Sequence, residues 1–145
     1  MKMKFTLATL TLITMAVLLT AAGTPGVVFV GHDKVAAALA KSGPIVTAPD
    51  LLVQGSHREA NGHVELHEKE TDVFYVTAGE ATFIAGGTIV GDKVTKPGQH
   101  TGSDIKGGTT YHLKQGDVMV IPAGMPHWYK EVPKSVTYFV VKVLK

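Results

Sequence analysis

Two stretches of the chain carry ligand-type side chains inside an apolar, strand-like pattern. Residues 62–79 read GHVELHEKETDVFYVTAG, and residues 116–131 read GDVMVIPAGMPHWYKE. Alternate residues of a strand point to one face, so His63, Glu65 and His67 share a face and Val64 and Leu66 share the other. Imidazole and carboxylate groups aimed together suit a divalent metal or a polar ligand. A solvent-facing strand that covers the core with Val64 and Leu66 fits the same pattern. Asp72 opens the next strand on the face of Phe74 and Val76, as a ligand or as a turn residue. His127 follows the turn PAGMP and shares its face with Tyr129 and Glu131. Neutral imidazole is the commonest metal ligand. Two imidazoles with one or two carboxylates make an open site for a divalent first-row metal. Cysteine is absent, which excludes thiolate ligands and thiol chemistry.

These residues must be held by strands. Sixteen glycines and seven prolines in 145 residues predict many tight turns. Extended segments are expected at 45–48, 51–56, 63–67, 73–78, 81–85, 88–90, 109–113, 118–121, 127–132 and 136–143. Asn61-Gly62 is a turn signal, and Gly79-Glu80 predicts a tight hairpin between 73–78 and 81–85. Residues 92–108, polar and glycine-containing, read as one long loop, a common form for lids and binding loops. Before the strands, Asp33 is expected to cap a short helix that runs through Lys41 and stops at Gly43. Many short strands with regular turns predict an all-β sandwich or barrel.

The N-terminus has a separate logic. Met1-Lys2-Met3-Lys4 is basic, Phe5 to Ala22 is apolar and uncharged, and Ala21-Ala22-Gly23 is small. That order is the order of a secretory signal, with cleavage near Ala22 or Gly23. A retained membrane anchor is the alternative. The expected organisation is a signal peptide at 1–23, an N-terminal segment with the short helix at 24–50, and a barrel domain at 51–145. The expected destination is the periplasm or the medium. Loss of Lys2 and Lys4 takes the formal charge from +2 to about zero. No basic cluster with interleaved aromatics remains, which argues against nucleic acid as a partner.

The second stretch resembles the second motif of the cupin superfamily closely, through Gly116, Pro122, Gly124 and His127. The first resembles the first cupin motif from Gly62 to Gly79, with Glu65 and His67 where that motif has paired histidines and Asp72 where it has glutamate. Glu131 stands where asparagine is frequent. The resemblance spans roughly residues 51–143. It implies a double-stranded β-helix, or jelly-roll barrel, and one divalent ion (iron, manganese, zinc or nickel) in the barrel mouth. Glu65, His67, Asp72 and His127 are the implied ligands, with His63 a substitute if the strand slips. A small-molecule ligand or substrate and a homodimer are implied as well. Glu65 or Asp72, where not a ligand, is a candidate general base. Two other readings stand beside a metal-dependent enzyme of dioxygenase, isomerase or lyase type. One is a non-catalytic binder of a sugar or small acid, and the other is a metal-free structural barrel.

Of the remaining residues, Arg58 reads as a surface residue at a strand end, with anchoring of an anionic substrate as its alternative. His100 reads as solvated, and His112 as a residue of the cavity mouth. Tyr75 and Trp128 read as packing or dimer residues. Phe74, Phe83, Val118, Val120 and Phe139 are expected in the core.

Overall fold

The computed structural model describes residues 26–145. The signal expected at 1–23 lies outside the described residues. Among the described residues one helix, α1 (His32–Lys41), precedes the strands β1 (Gly43–Thr47), β2 (Leu51–Arg58), β3 (Val64–His67), β4 (Glu70–Ala85), β5 (Thr88–Val90) and β6 (Lys93–Lys96). Then follow β7 (Gln99–Gly102), β8 (Asp104–Lys106), β9 (Thr109–Lys114), β10 (Val118–Ile121), β11 (His127–Glu131) and β12 (Val136–Leu144). The fold is the expected all-β, antiparallel double-stranded β-helix with one short helix. Among the described residues no helix is long and apolar enough to cross a membrane.

The helix starts one step earlier than its expected cap. Gly31 is the N-cap and Asp33 sits in the first turn, where its charge still favours the positive end of the helix. Ser42 ends the helix in a left-handed conformation (φ 56°), and its hydroxyl exchanges hydrogen bonds with the backbone of His57. Ala38 packs directly over Gly55, where an added Cβ would lie 2.6 Å from the helix backbone.

The hairpin expected at Gly79-Glu80 is absent. Residues 70–85 form one continuous strand that turns a corner at Gly79 (φ 75°). An added Cβ there would meet the Ser135 carbonyl oxygen at 2.0 Å, so only glycine fits this corner. Before the corner, β4 pairs with β12 and β10; after it, β4 pairs with β11 and β9. One strand therefore serves two layers: β1-β2-β12-β4-β10 on one side and β6-β7-β3-β11-β4-β9 on the other.

The long loop expected at 92–108 is also absent. β6 and β7 form a hairpin around Pro97-Gly98, and β7 pairs with β3. β8 pairs with β5. The hairpin's polar composition reflects its exposed outer strand, with all four residues of β6 exposed, and not a lack of pairing.

Between the layers lies a core of Phe74, Val76, Phe83, Ile121, Tyr129, Val136, Tyr138 and Val140 with their neighbours. Phe83 is fully buried, worth roughly 2–3 kcal/mol. A satellite cluster of Val64, Ile84 and Ile105, with Ile89 and Trp128 against it, covers the back of β3. Val118 and Val120, expected in the core, are exposed, and Phe139 is only half-buried. Val-Met-Val-Ile is apolar on both faces, so alternation alone does not say which face turns inward. Met119 and Ile121 do so on β10, as Tyr138 and Val140 do on β12.

Candidate metal centre

Three directly opposed cross-strand pairs build the site. Glu65 on β3 lies opposite His127 on β11. His67 on β3 lies opposite Gln99 on β7. Asp72 on β4 lies opposite Lys142 on β12. The turn before β11 is tied to the end of β3 by a hydrogen bond from the Gly124 N–H to the His67 carbonyl, 2.7 Å. Gly124 adopts φ 79° there, so the glycine of the PAGMP turn joins the two halves of the site.

The pairing brings Glu65, His67, Asp72 and His127 together. The Nε2 atoms of His67 and His127 lie 3.7 and 3.9 Å from one oxygen of Asp72. The His127 Nε2 also lies 3.9 Å from Glu65 Oε2. These gaps exceed a hydrogen bond. They suit an ion that draws each ligand to about 2.0–2.2 Å. Glu65, His67 and His127 form one group of potential ligand atoms within 4.8 Å of one another, and His67, Glu70 and Asp72 form a second. His127 and Asp72 are buried, whereas the Glu65 side chain is 45% exposed, so the site opens on the Glu65 side.

Both imidazoles are oriented from behind. His127 Nδ1 donates to the Met125 carbonyl at 3.0 Å, an acceptor with no proton of its own. His67 Nδ1 donates to Gln99 Oε1, while the Gln99 amide donates to Glu70. In both rings the Nε2 lone pair is left facing the cluster, the arrangement that metal-ligating histidines need. Burial lowers the His127 pKa and keeps the ring neutral, against the opposing hydrogen bond to Met125. His127 Nε2 is buried with no hydrogen-bond partner among the described residues. The ring stacks on Phe83 (centroids 6.0 Å apart), which fixes its plane.

Lys142 is the residue the sequence did not flag. Its ammonium donates to both Asp72 oxygens at 3.0 and 2.9 Å and to Glu70 at 3.0 Å. Burial alone would raise the Glu70 pKa; the Lys142 hydrogen bond and charge outweigh it and hold the carboxyl below its usual range. Arg58, read from sequence as a surface residue, turns inward instead, because its neighbour His57 takes the outward position and bonds Thr137. Arg58 Nε donates to the Tyr138 hydroxyl at 2.9 Å, and its guanidinium lies 5.0 Å from the Tyr129 ring centre.

The other histidines fall outside the cluster. His63 is exposed and precedes β3. His112 is exposed and borders a separate surface cavity between β9 and β10. His100, expected to be solvated, is partly buried and clamped between Asp92 (2.9 Å) and Glu68 (3.0 Å). Trp128 packs on the satellite cluster, and its indole N–H donates to the Gly62 carbonyl.

The family model described as Cupin matches residues 34–143, and the chain belongs to that family. Its fold is also found among solved structures. A protein from Bacillus halodurans aligns with TM-score 0.57 at 12% identity, over 81% of each chain. The cupin domain of Cnp3 from Schizosaccharomyces pombe aligns with TM-score 0.52 at 12% identity, over 71% of this chain and 59% of that one. At such identities the likeness establishes the fold alone. No match was found among curated proteins.

Proposed function

We propose that the protein holds one divalent first-row metal ion (iron, manganese, zinc or nickel) on His67, His127 and Glu65, with Asp72 as the fourth group, and presents it to a small oxygenated molecule. The observation that carries this reading is the His127 Nε2 atom, buried, unpartnered and facing two carboxylates. A buried polar atom left unpaired costs roughly 1–3 kcal/mol, which a bound cation removes. An ion so held polarises a carbonyl or activates water or dioxygen. Open access past Glu65 supports a ligand-binding or catalytic role over a closed structural site. Elemental analysis of protein purified without a nickel column tests the reading. About one ion per chain is expected, the number one barrel site implies; no metal, and no uptake after chelation and reloading, sinks it.

A second reading, a metal-free barrel, draws on Lys142, whose ammonium already supplies a cation to Asp72. The same metal analysis separates the two. Export to the periplasm or medium belongs to the proposal, supported by the basic, apolar and small-residue order of residues 1–23. So does homodimerisation, supported by exposed Tyr75, Val118 and Val120 on neighbouring strands of one outer face.

A further inference from the structure

A small cavity of about 150 Å³ opens beside the His67–Asp72 cluster, and its other wall is chemically distinct. Ser56, Arg58, Tyr129 and Tyr138 form that wall. Each is held there by strand register: Ser56 lies opposite Tyr138, and Arg58 reaches Tyr138 diagonally across the β2–β12 pair. Arg58 gives its Nε hydrogen to Tyr138, and among the described residues its two terminal amino groups have no side-chain acceptor. The Tyr129 hydroxyl, on a residue 4% exposed, is buried without a hydrogen-bond partner among the described residues. The wall therefore offers donors and a fixed positive charge, and it lacks an acidic group.

The charges of the site also favour an anionic ligand, on the metal reading proposed above. Glu65, Glu70 and Asp72 bring three negative charges to the cluster, against one each from Lys142 and Arg58. The cluster alone is therefore one charge negative. A divalent ion makes it one charge positive, with Arg58 as the cation that no carboxylate among the described residues contacts within ion-pairing distance. A single negative charge on the ligand then brings the loaded site to neutrality. A guanidinium fork matches a carboxylate in shape, with two parallel hydrogen bonds. The volume is about half the ~300 Å³ at the small end of ordinary ligand pockets, so the ligand has only a few carbon atoms.

We propose that the ligand of this cavity is a short-chain carboxylate whose carboxyl group is bound by Arg58 and the Tyr129 hydroxyl, with its remaining oxygen turned toward the histidine cluster.

Calorimetric titration of the full chain, metal-loaded and metal-free, with glycolate, lactate and malonate tests it. Glycolamide, neutral and nearly equal in size to glycolate, is the control. Glycolate is expected to bind, with glycolamide weaker by roughly tenfold or more. Arg58→Gln should weaken glycolate binding by roughly ten- to a hundredfold while metal content stays the same, and Arg58→Lys should recover part of the loss. The glycolamide comparison needs no variant, so it stands even if Arg58→Gln misfolds. Binding of none of the three acids overturns the proposal, as does equal binding of glycolate and glycolamide, or glycolate binding indifferent to Arg58. A chain that takes up metal but fails these tests refutes the carboxylate ligand and leaves the metal reading standing. A chain that takes up no metal yet binds glycolate through Arg58 refutes the metal reading alone.

Discussion

The Lys142 ammonium holds both oxygens of Asp72, at 3.0 and 2.9 Å, from the position directly opposite on the neighbouring strand. Asp72 thus has two claimants: a lysine behind it and, in the proposed function, an ion in front. Their competition is measurable. Lys142→Met should destabilise the metal-free protein by about 3 kcal/mol, since it strips the partner from a carboxylate that is almost wholly buried. The same change should tighten metal binding by roughly tenfold or more, because a cation near the ion is removed and Asp72 is released. Urea denaturation in chelator and competition with a chromogenic chelator give the two readouts. Unchanged or weaker metal binding in Lys142→Met would refute this competition between the lysine and the ion.

Acid should destabilise the metal-free barrel through His127. Burial depresses its pKa in the folded state, so the unfolded chain binds the proton first. The contribution is fully present above about pH 6.5, the ordinary histidine value, and is lost as pH falls toward the lower folded value. The slope for one proton is at most about 1.4 kcal/mol per pH unit. Denaturation midpoints at pH 7.5, 6.5 and 5.5 in chelator should therefore fall more steeply for wild type than for His127→Gln. Parallel pH profiles would contradict the assignment.

Gly79→Ala should cost more than about 2 kcal/mol. The substitution combines a left-handed backbone (φ 75°) with a Cβ that collides with the Ser135 carbonyl oxygen. Gly116→Ala is the matched control, because that glycine is also left-handed (φ 92°) but has nothing within 4 Å of an added Cβ. The difference between the two denaturation curves isolates the collision from the dihedral strain.

Val118→Glu combined with Val120→Lys should convert a dimer to a monomer without loss of fold. Both side chains are about 60% exposed and neither reaches the core. Light scattering reads the mass and circular dichroism the fold. A wild-type mass equal to one chain removes dimerisation from the proposal.

The two histidines were legible because each sits in a local pattern: His67 in an alternation of polar and apolar residues, His127 after a turn whose proline and glycine fix the strand start. Their supporting residues were not. Gln99 lies 32 positions from His67, Lys142 lies 70 from Asp72, and Arg58 lies 80 from Tyr138. Only strand register brings such pairs together, and no local window contains it. The Gly79 corner was misread for a related reason. A left-handed glycine ends a strand in a hairpin and bends it at a corner with the same residue, and the partners that distinguish the two, β12 and β11, come some fifty residues later. The β6–β7 hairpin was misread because its polar sequence has the composition of a loop, although its backbone is paired.

The unbroken course of β4 also sets how the family member in hand can change length. Asp72 on one arm and Phe83, which supports His127, on the other are separated by a fixed number of residues with no loop to absorb an error. A single inserted residue between them would turn every later side chain to the opposite face, and a pair would keep the faces but slide the arm by about 6.6 Å. Growth or shrinkage of this protein is therefore confined to the turns outside Glu70–Ala85, and the spacing between its acidic and aromatic arms behaves as a ruler counted in residues.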